Sequence, residues 1–358
     1  MRRAVELAGT RLGRTSPNPV VGCVVLAPDG TVVGEGFHKG AGHPHAEPEA
    51  LAAAGDRARG ATAVVTLEPC AHTGRTGPCA DALLRAGVAR VLYAVPDPNP
   101  GAAGGAERLR AAGVEVVGDV LREEAERVNE LWLTAIRRGR PCVTWKFGGT
   151  LDGRSAAPDG TSRWITGPAA REDAHRLRAS HDAVLVGSGT LRADDPHLGL
   201  RHGVPGEPPL RVVLDRTGSI PPGARVLDDT APTLVAVGDS APKPQLPGGH
   251  EVLVLPETGA GWTPPCCWTS STGAGCARCC WRAVPAWPRT SRPGPARPGG
   301  GLRGAHAARL RRARGPRRLR GRTLTEGLRL HLDEVRRLGD DVRMVLRGRP
   351  LPGAREER

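Results

Sequence analysis

Aromatic side chains are scarce in this sequence: one Tyr, two Phe and seven Trp, 3% of 358 residues. Ala, Gly, Arg and Pro are abundant instead, with 49 Gly and 34 Pro. Such a bias suits translation from a GC-rich coding sequence as well as any structural demand, so composition alone assigns no class. No apolar run approaches the roughly 20 residues needed to cross a bilayer. The opening Met1-Arg2-Arg3-Ala4-Val5-Glu6 is basic but leads into no apolar stretch, so no secretory signal is expected. These absences imply a cytoplasmic protein with no membrane partner. In that compartment clustered cysteines more often bind metal or catalyse than form disulfides.

Lys, Asp and Glu are missing altogether between Thr263 and Arg322, where fourteen Arg and five of the nine Cys accumulate. The chain's formal net charge of +14 would ordinarily suggest a nucleic-acid partner. That single segment accounts for all of it and leaves the rest of the chain neutral. No specific nucleic-acid partner is therefore expected. An exposed Arg-rich stretch would bind phosphates only non-specifically, with a steep loss of affinity in salt.

The length suggests two domains. In the first part, Val20 to Leu26 and Thr31 to Gly36 read as paired strands around the Pro28-Asp29-Gly30 turn. Helices are expected at Glu47 to Ala58, Cys79 to Ala86 and Ala103 to Ala112. Strands are expected at Ala63 to Leu67 and Val88 to Val95. Leu121 to Arg138 reads as one amphipathic helix, and Arg140-Pro141 marks a boundary. The pattern then restarts. A strand at Cys142 to Phe147 and a helix at Pro168 to Ala179 precede strands at 183–186, 210–214, 233–237 and 251–255. Alternating strands and helices imply α/β layers in both parts. Periodicity stops after Trp262 and resumes at Thr323, with a last strand at Asp341 to Leu346.

The residues that carry chemistry are His45-Ala46-Glu47 and Cys70 and Cys79 in the run Pro69 to Cys79. A catalytic zinc keeps three protein ligands and one open position, and His45, Cys70 and Cys79 would supply the three. Zinc deaminases pair one His and two Cys with a Glu that is not a ligand, and Glu47 fits that role as the general acid/base. Helices beginning near His45 and Cys79 would set both ligands at positive helix ends, which favours the thiolate. His72 is better suited to ordering the loop than to ligation. Any one of these residues alone would read as a buried small side chain or a surface histidine. Their order, His-x-Glu, strand, Pro-Cys, Cys, carries the inference.

These residues resemble the bifunctional deaminase–reductase family of riboflavin biosynthesis, often called RibD. The matching motifs are Thr15-Ser16-Pro17-Asn18-Pro19-Val20-Val21-Gly22, His45-Ala46-Glu47, the Pro69–Cys79 run and Asp97-Pro98-Asn99-Pro100. Nucleic-acid and cytidine deaminases usually carry Cys-x-x-Cys, whereas eight residues separate Cys70 from Cys79. Gly77 and Pro48 depart from the family pattern, and neither is a proposed ligand. In the second part the resemblance runs from Thr144-Trp145-Lys146-Phe147 to Arg211-Val212-Val213-Leu214-Asp215. It implies a cytidine-deaminase-like domain at 1–140 and a dihydrofolate-reductase-like domain at 141–346, followed by a tail at 347–358. It also implies that Asn18, Lys146, Ser162, Arg178, Leu198 and Arg201 contact a phosphoribosyl pyrimidine. Gly148, Trp164, Thr190 and Asp194 would contact NADPH. By the same comparison the N-terminal helix looks slightly short.

The family's reductase carries an apolar strand followed by Glu-Gly-Gly-Pro, and this chain lacks both words. A shifted reading frame accounts for the loss. Cys276 to Pro285 can be encoded so that the frame one base earlier reads Val-Arg-Ala-Leu-Leu-Leu-Glu-Gly-Gly-Pro. A second shift near Arg322 would restore the frame. Residues 263–322, rich in Pro, Gly and Arg, are expected to be disordered, and the reductase half to be impaired. The resemblance thus implies zinc-dependent deamination followed by NADPH-dependent reduction of a small molecule, in a chain compatible with a homo-oligomer. Two alternatives remain at this point: a deaminase with an inert reductase half, and a zinc deaminase acting on another nucleotide or on nucleic acid.

Overall fold

The computed structural model describes residues 1–72, 77–258, 261–262, 278–282 and 330–348. Its first unit is a five-stranded sheet in the order β2-β1-β3-β4-β5, built from Gly22–Leu26 (β1), Val32–Phe37 (β2), Thr62–Leu67 (β3), Arg90–Val95 (β4) and Glu115–Val117 (β5). β1 runs antiparallel to β2 and β3, while β3, β4 and β5 are mutually parallel. Around it lie Arg2–Gly9 (α1), Ala46–Ala54 (α2), Cys79–Ala86 (α3), Gly105–Ala111 (α4), Arg122–Val128 (α5) and Glu130–Arg138 (α6). The strands are rich in Val and buried on both faces, as a sheet covered by helices on each side requires.

The abundance of Ala and Gly has a structural use here. α2 buries Ala46, Ala50 and Ala54, spaced four apart on one face. That face lies on β2, where Gly34 and Gly36 present no side chain. A methyl group added at Gly34 would strike the Ala50 carbonyl, and one at Gly36 the Ala46 carbonyl. Helix and strand therefore approach backbone to backbone. α1 meets β1 in the same way, with Gly22 against the Ala4 carbonyl.

The expected single helix at 121–138 is two helices that divide at Asn129. Asn129 is 4% exposed, and its amide bonds both backbone groups of Val20: Oδ1 accepts from the N–H at 2.9 Å and Nδ2 donates to the C=O at 2.7 Å. The side chain thus behaves as a missing strand partner for a buried residue, an arrangement that an apolar periodicity cannot report. β5 and a short helix at Ser188–Asp194 (α8) were not anticipated.

The second unit is a six-stranded parallel sheet of Cys142–Lys146 (β6), Ala183–Gly187 (β7), Leu210–Leu214 (β8), Thr233–Gly238 (β9), Glu251–Leu255 (β10) and Arg278–Arg282 (β13). Glu257–Thr258 (β11) and Gly261–Trp262 (β12) form a minor ladder between β10 and β13. Pro168–Ala179 (α7) and α8 accompany this sheet. Leu330–Leu338 (β14) and Asp341–Gly348 (β15) form a hairpin. The hairpin is tied back by Arg343 to Asp173 of α7 at 2.9 Å and by Arg347 to Glu130 of α6 at 2.5 Å. β15 reaches Gly348, so the expected tail begins later than 347.

β13 corrects the expectation of disorder across 263–322. The sheet order is β10-β9-β8-β7-β13-β6, so the strand fills an interior position between β7 and β6. Ladder hydrogen bonds use backbone groups common to every residue, and Arg278–Arg282 contains no Pro to interrupt them. Its five residues coincide with the codons that read Ala-Leu-Leu-Leu-Glu in the displaced frame. The rest of 263–322 lies outside the described residues.

Gly36→Ala should force α2 away from β2 and destabilise the first unit by about 1–3 kcal/mol, the usual cost of overpacking. Chemical denaturation of the variant against the parent checks this, and an unchanged midpoint would refute the close-packing account.

Candidate metal centre

His45 is the N-cap residue of α2 and Cys79 the first residue of α3, while Cys70 follows β3 across Glu68-Pro69. The two helix starts and the strand end meet at one place. His45 Nδ1 lies 3.2 Å from Cys79 Sγ and 3.7 Å from Cys70 Sγ. All three ligand atoms fall within 4.8 Å of one another. With Zn–N near 2.0 Å and Zn–S near 2.3 Å, the edges of a tetrahedral site are roughly 3.5 Å, so the separations suit zinc. The donor set of one imidazole and two thiols suits it as well. The Cys79 backbone N–H donates to Cys70 Sγ at 3.4 Å. The Cys79 thiol, then His45 and that N–H, hold Cys70 well below the ordinary thiol range, while the same pairing and burial push Cys79 up.

Glu47 lies in the first turn of α2 and is 3% exposed. Burial pushes its carboxyl up to about 7. A carboxyl so placed can hold or release a proton near neutral pH, as a shuttle must. Cys23 in β1 is fully buried and outside the cluster; burial raises its thiol. His72 is exposed and does not join the three converging ligands. Thr73 to Thr76 of the same run lie outside the described residues.

Asn18 reaches the centre through a residue that the sequence did not single out. Its Nδ2 lies 3.0 Å from His38 Nε2, and His38 Nδ1 lies 3.0 Å from the Pro44 carbonyl. A carbonyl only accepts, so Nδ1 carries the proton and Nε2 accepts from the Asn18 amide. Burial holds His38 below its usual value, in keeping with this neutral form. The His38 ring also stacks edge-on against His45, with centroids 5.3 Å apart. No motif marks Phe37-His38-Lys39; the residue matters through where β2 ends.

In the second unit, Lys146 ends β6, Arg178 lies on α7 and Arg201 follows β7 and α8. They gather around His175, which is 6% exposed and was likewise not anticipated. The Arg201 N–H donates to His175 Nδ1 at 3.1 Å, and Arg178 donates to the Gly199 carbonyl at 2.5 Å. Burial, then Arg178, Arg201, His202 and Lys146, press His175 down to about 3. The cluster is cationic, with a neutral imidazole at its centre, and suits an anion such as a phosphate. Leu198 is 1% exposed and packs in the core of the second unit, so it offers a ligand almost no surface, contrary to the expected contact. Thr190 is 4% exposed within α8, and Asp194 ends that helix.

On the expected cofactor side, Trp164 is 70% exposed with the Arg171 guanidinium 4.4 Å from its ring centroid. Ser162 sits two residues before it and is half-buried. A methyl group at Gly148 would lie 3.9 Å from Lys146 Nζ, which places that backbone beside the cationic cluster. Gly187 and Gly189 face open space, so their backbone is approachable. Arg282-Ala283-Val284-Pro285 stands where the family pattern has Glu-Gly-Gly-Pro, so the chain fits a dinucleotide less well here than at the other positions.

Purified chain should carry about one tightly bound zinc ion. Cys70→Ala and His45→Ala should each lose most of it, as measured by atomic absorption after dialysis. Full zinc retention in both variants would mean that the metal is held elsewhere.

Comparison with known proteins agrees with this geometry. The family described as cytidine and deoxycytidylate deaminase zinc-binding region matches residues 1–95, and the RibD C-terminal domain family matches 141–250. The riboflavin biosynthesis protein RibD of Aquifex aeolicus is 47% identical over 259 residues, 71% of this chain and 72% of that one. The Escherichia coli protein of the same name is 44% identical over 270 residues, 72% and 73% of the two chains. Among solved structures, Acinetobacter baumannii RibD superposes with a TM-score of 0.76 at 34% identity, covering 97% of each chain. A Thermotoga maritima diaminohydroxyphosphoribosylaminopyrimidine deaminase/5-amino-6-(5-phosphoribosylamino)uracil reductase gives 0.69 at 36% identity, covering 80% of each. On the sequence, the fold and the metal centre together, this chain belongs to the RibD family.

Proposed function

We propose that this chain carries out two consecutive steps of riboflavin biosynthesis. The first is deamination of 2,5-diamino-6-ribosylamino-4(3H)-pyrimidinone 5′-phosphate. The second is NADPH-dependent reduction of the ribosyl group to ribityl. The observation that carries the first step is the convergence of His45, Cys70 and Cys79 beside a buried Glu47. Residues 1–140 form the deaminase unit and 141–346 the reductase unit in this reading, with placement in the cytoplasm and no specific nucleic-acid partner. Homo-oligomer formation is supported by the exposed apolar residues Val335, Val342 and Met344 on the hairpin β14–β15.

His45, Cys70 and Cys79 would hold the zinc, which when bound activates water near neutral pH. The remaining work falls to the protein. The attacking water adds its oxygen to the ring carbon that bears the exocyclic amine. Glu47 relays the water's two protons in turn, one to the neighbouring ring nitrogen and one to the departing amine, so that ammonia leaves and a carbonyl remains. Asn18 Oδ1, fixed by His38, accepts from a ring or amino N–H of the pyrimidine and sets its orientation. The dry surroundings of Glu47 raise its proton affinity to the range in which both transfers are close to neutral in free energy.

For the second step, Lys146, Arg178 and Arg201 hold the substrate phosphate, and Ser162 lines the sugar. Gly148, Trp164, Thr190 and Asp194 would hold NADPH, which when bound would supply a hydride to C1′; the C1′–O4′ bond breaks and the ring oxygen takes up a solvent proton, leaving the open ribityl chain. Arg282-Ala283-Val284-Pro285 removes the Gly-Gly backbone that the family lays against the dinucleotide, and this favours a weakened second activity in this chain.

Mass spectrometry of the products formed from the diaminopyrimidinone ribotide and NADPH tests both steps. The expected result is complete deamination with slow appearance of the ribityl compound. Zinc-loaded, folded protein with no turnover would sink the substrate assignment. Glu47→Gln should keep its zinc and lose at least about 100-fold in deamination, the scale of general acid–base catalysis. Reading codons 263–322 in the displaced frame should raise NADPH-dependent turnover and leave the deaminase rate unchanged. No gain in reductase activity would show that the Arg-rich segment is tolerated.

A further inference from the structure

Glu68 stands two residues before Cys70, in the turn that carries that ligand from the end of β3. Its carboxylate is not one of the three converging ligand groups and instead gathers backbone donors from the 95–106 segment. Oε1 accepts from the N–H groups of Gly104 at 3.2 Å and Ala106 at 3.1 Å, and Oε2 accepts from Asp97 at 3.2 Å. Its own N–H donates to the Val95 carbonyl at 2.8 Å, and the Ala71 N–H donates to the Ala102 carbonyl at 3.0 Å. Between these bonds Gly105 lies flat on the turn, since a methyl group there would strike the Pro69 carbonyl. Residues 68–71 are therefore gripped on both sides of Cys70 by the loop from Val95 to Ala106.

The grip extends to the metal-binding residues. The Ala80 N–H donates to the Cys70 carbonyl at 3.2 Å, and the Cys79 N–H to its sulfur at 3.4 Å. Cys70 is thus fixed by backbone bonds from α3 on one side and by the Glu68 clamp on the other. A carboxylate that accepts three N–H groups is a strong tether, because charge-assisted bonds of this kind are about twice as strong as neutral ones. Two of the three donors lie at the start of α4, where backbone N–H groups have no partner within the helix. Capping α4 is the plainer role for Glu68. The bonds flanking Cys70 are what extend its influence to the metal.

We propose that Glu68 is a positioning residue for the Cys70 thiolate, acting through the 95–106 loop. The proposal rests on reading His45, Cys70 and Cys79 as zinc ligands. Its test compares zinc release to a chromophoric chelator from the full-length parent, Glu68→Ala and Glu68→Gln, with thermal denaturation and steady-state kinetics alongside. Glu68→Ala should release zinc about 10- to 100-fold faster, the range found when groups that orient a metal ligand are removed. Its kcat should fall while KM is unchanged. Glu68→Gln retains one acceptor oxygen for the α4 amides and should lie between the two. An Ala variant that is less thermostable yet releases zinc at the parental rate would reduce Glu68 to a helix cap and overturn the proposal. Should the Ala variant fail to fold, parental zinc release from the Gln variant overturns it equally. A parent that binds zinc without deaminating the ribotide would count against the substrate and leave the release comparison intact.

Discussion

The contact on which the first half of the molecule depends is that of α2 with β2. Ala46, Ala50 and Ala54 lie against Gly34 and Gly36 with no side chain between the two backbones on the glycine side. This sets the depth at which α2 begins. His45 is its N-cap and Glu47 lies in its first turn, so both are carried to the end of β3 where Cys70 emerges. A helix held off by one methyl layer would still present His45-x-Glu47 on the same face, but displaced from the two sulfurs. The Ala and Gly bias, which looked like a property of the genome, is here a condition for assembling the metal centre.

The metal-binding residues were legible in the sequence because ligand chemistry is confined to a few residue types at constrained separations. The two helix starts at His45 and Cys79 were legible for a related reason, since each lies where an apolar or loop pattern gives way to a helical one. His38 and His175 were not. Each acts by turning another residue, Asn18 in one case and the Arg201 backbone in the other, and this depends on where strands and loops end in space. Asn129 escaped notice for the same reason. It lies in the middle of an amphipathic pattern and bonds a residue 109 positions away. Long-range polar pairings leave no periodic trace, so a sequence reading finds the chemistry before it finds the supports.

β13 shows the opposite limit. An interior position in a parallel sheet offers two rows of backbone donors and acceptors, and these must be met regardless of side chain. Arg278–Arg282 meets them between β7 and β6. What the backbone cannot supply is the Leu-rich burial and the Gly-Gly turn that the displaced frame would bring to the same codons. Sheet order therefore depends on the backbone alone at this strand, and the first unit has its own core and the His45, Cys70 and Cys79 cluster apart from it.

Glu47 and Glu68 make the same distinction at the scale of one functional group. Both are acidic residues within two positions of a metal-binding residue, and residue type alone gives them equal standing. Burial of Glu47 outweighs the groups that favour its charged form, so its proton affinity rises to the range that catalysis near neutral pH requires. Glu68 accepts hydrogen bonds from three backbone amides of the 95–106 segment. Glu47 is placed for proton transfer, while Glu68 holds the chain. The assignment follows from where the polypeptide places N–H groups, and that is settled by β4 and the loop to α4 rather than by the motif in which either glutamate stands.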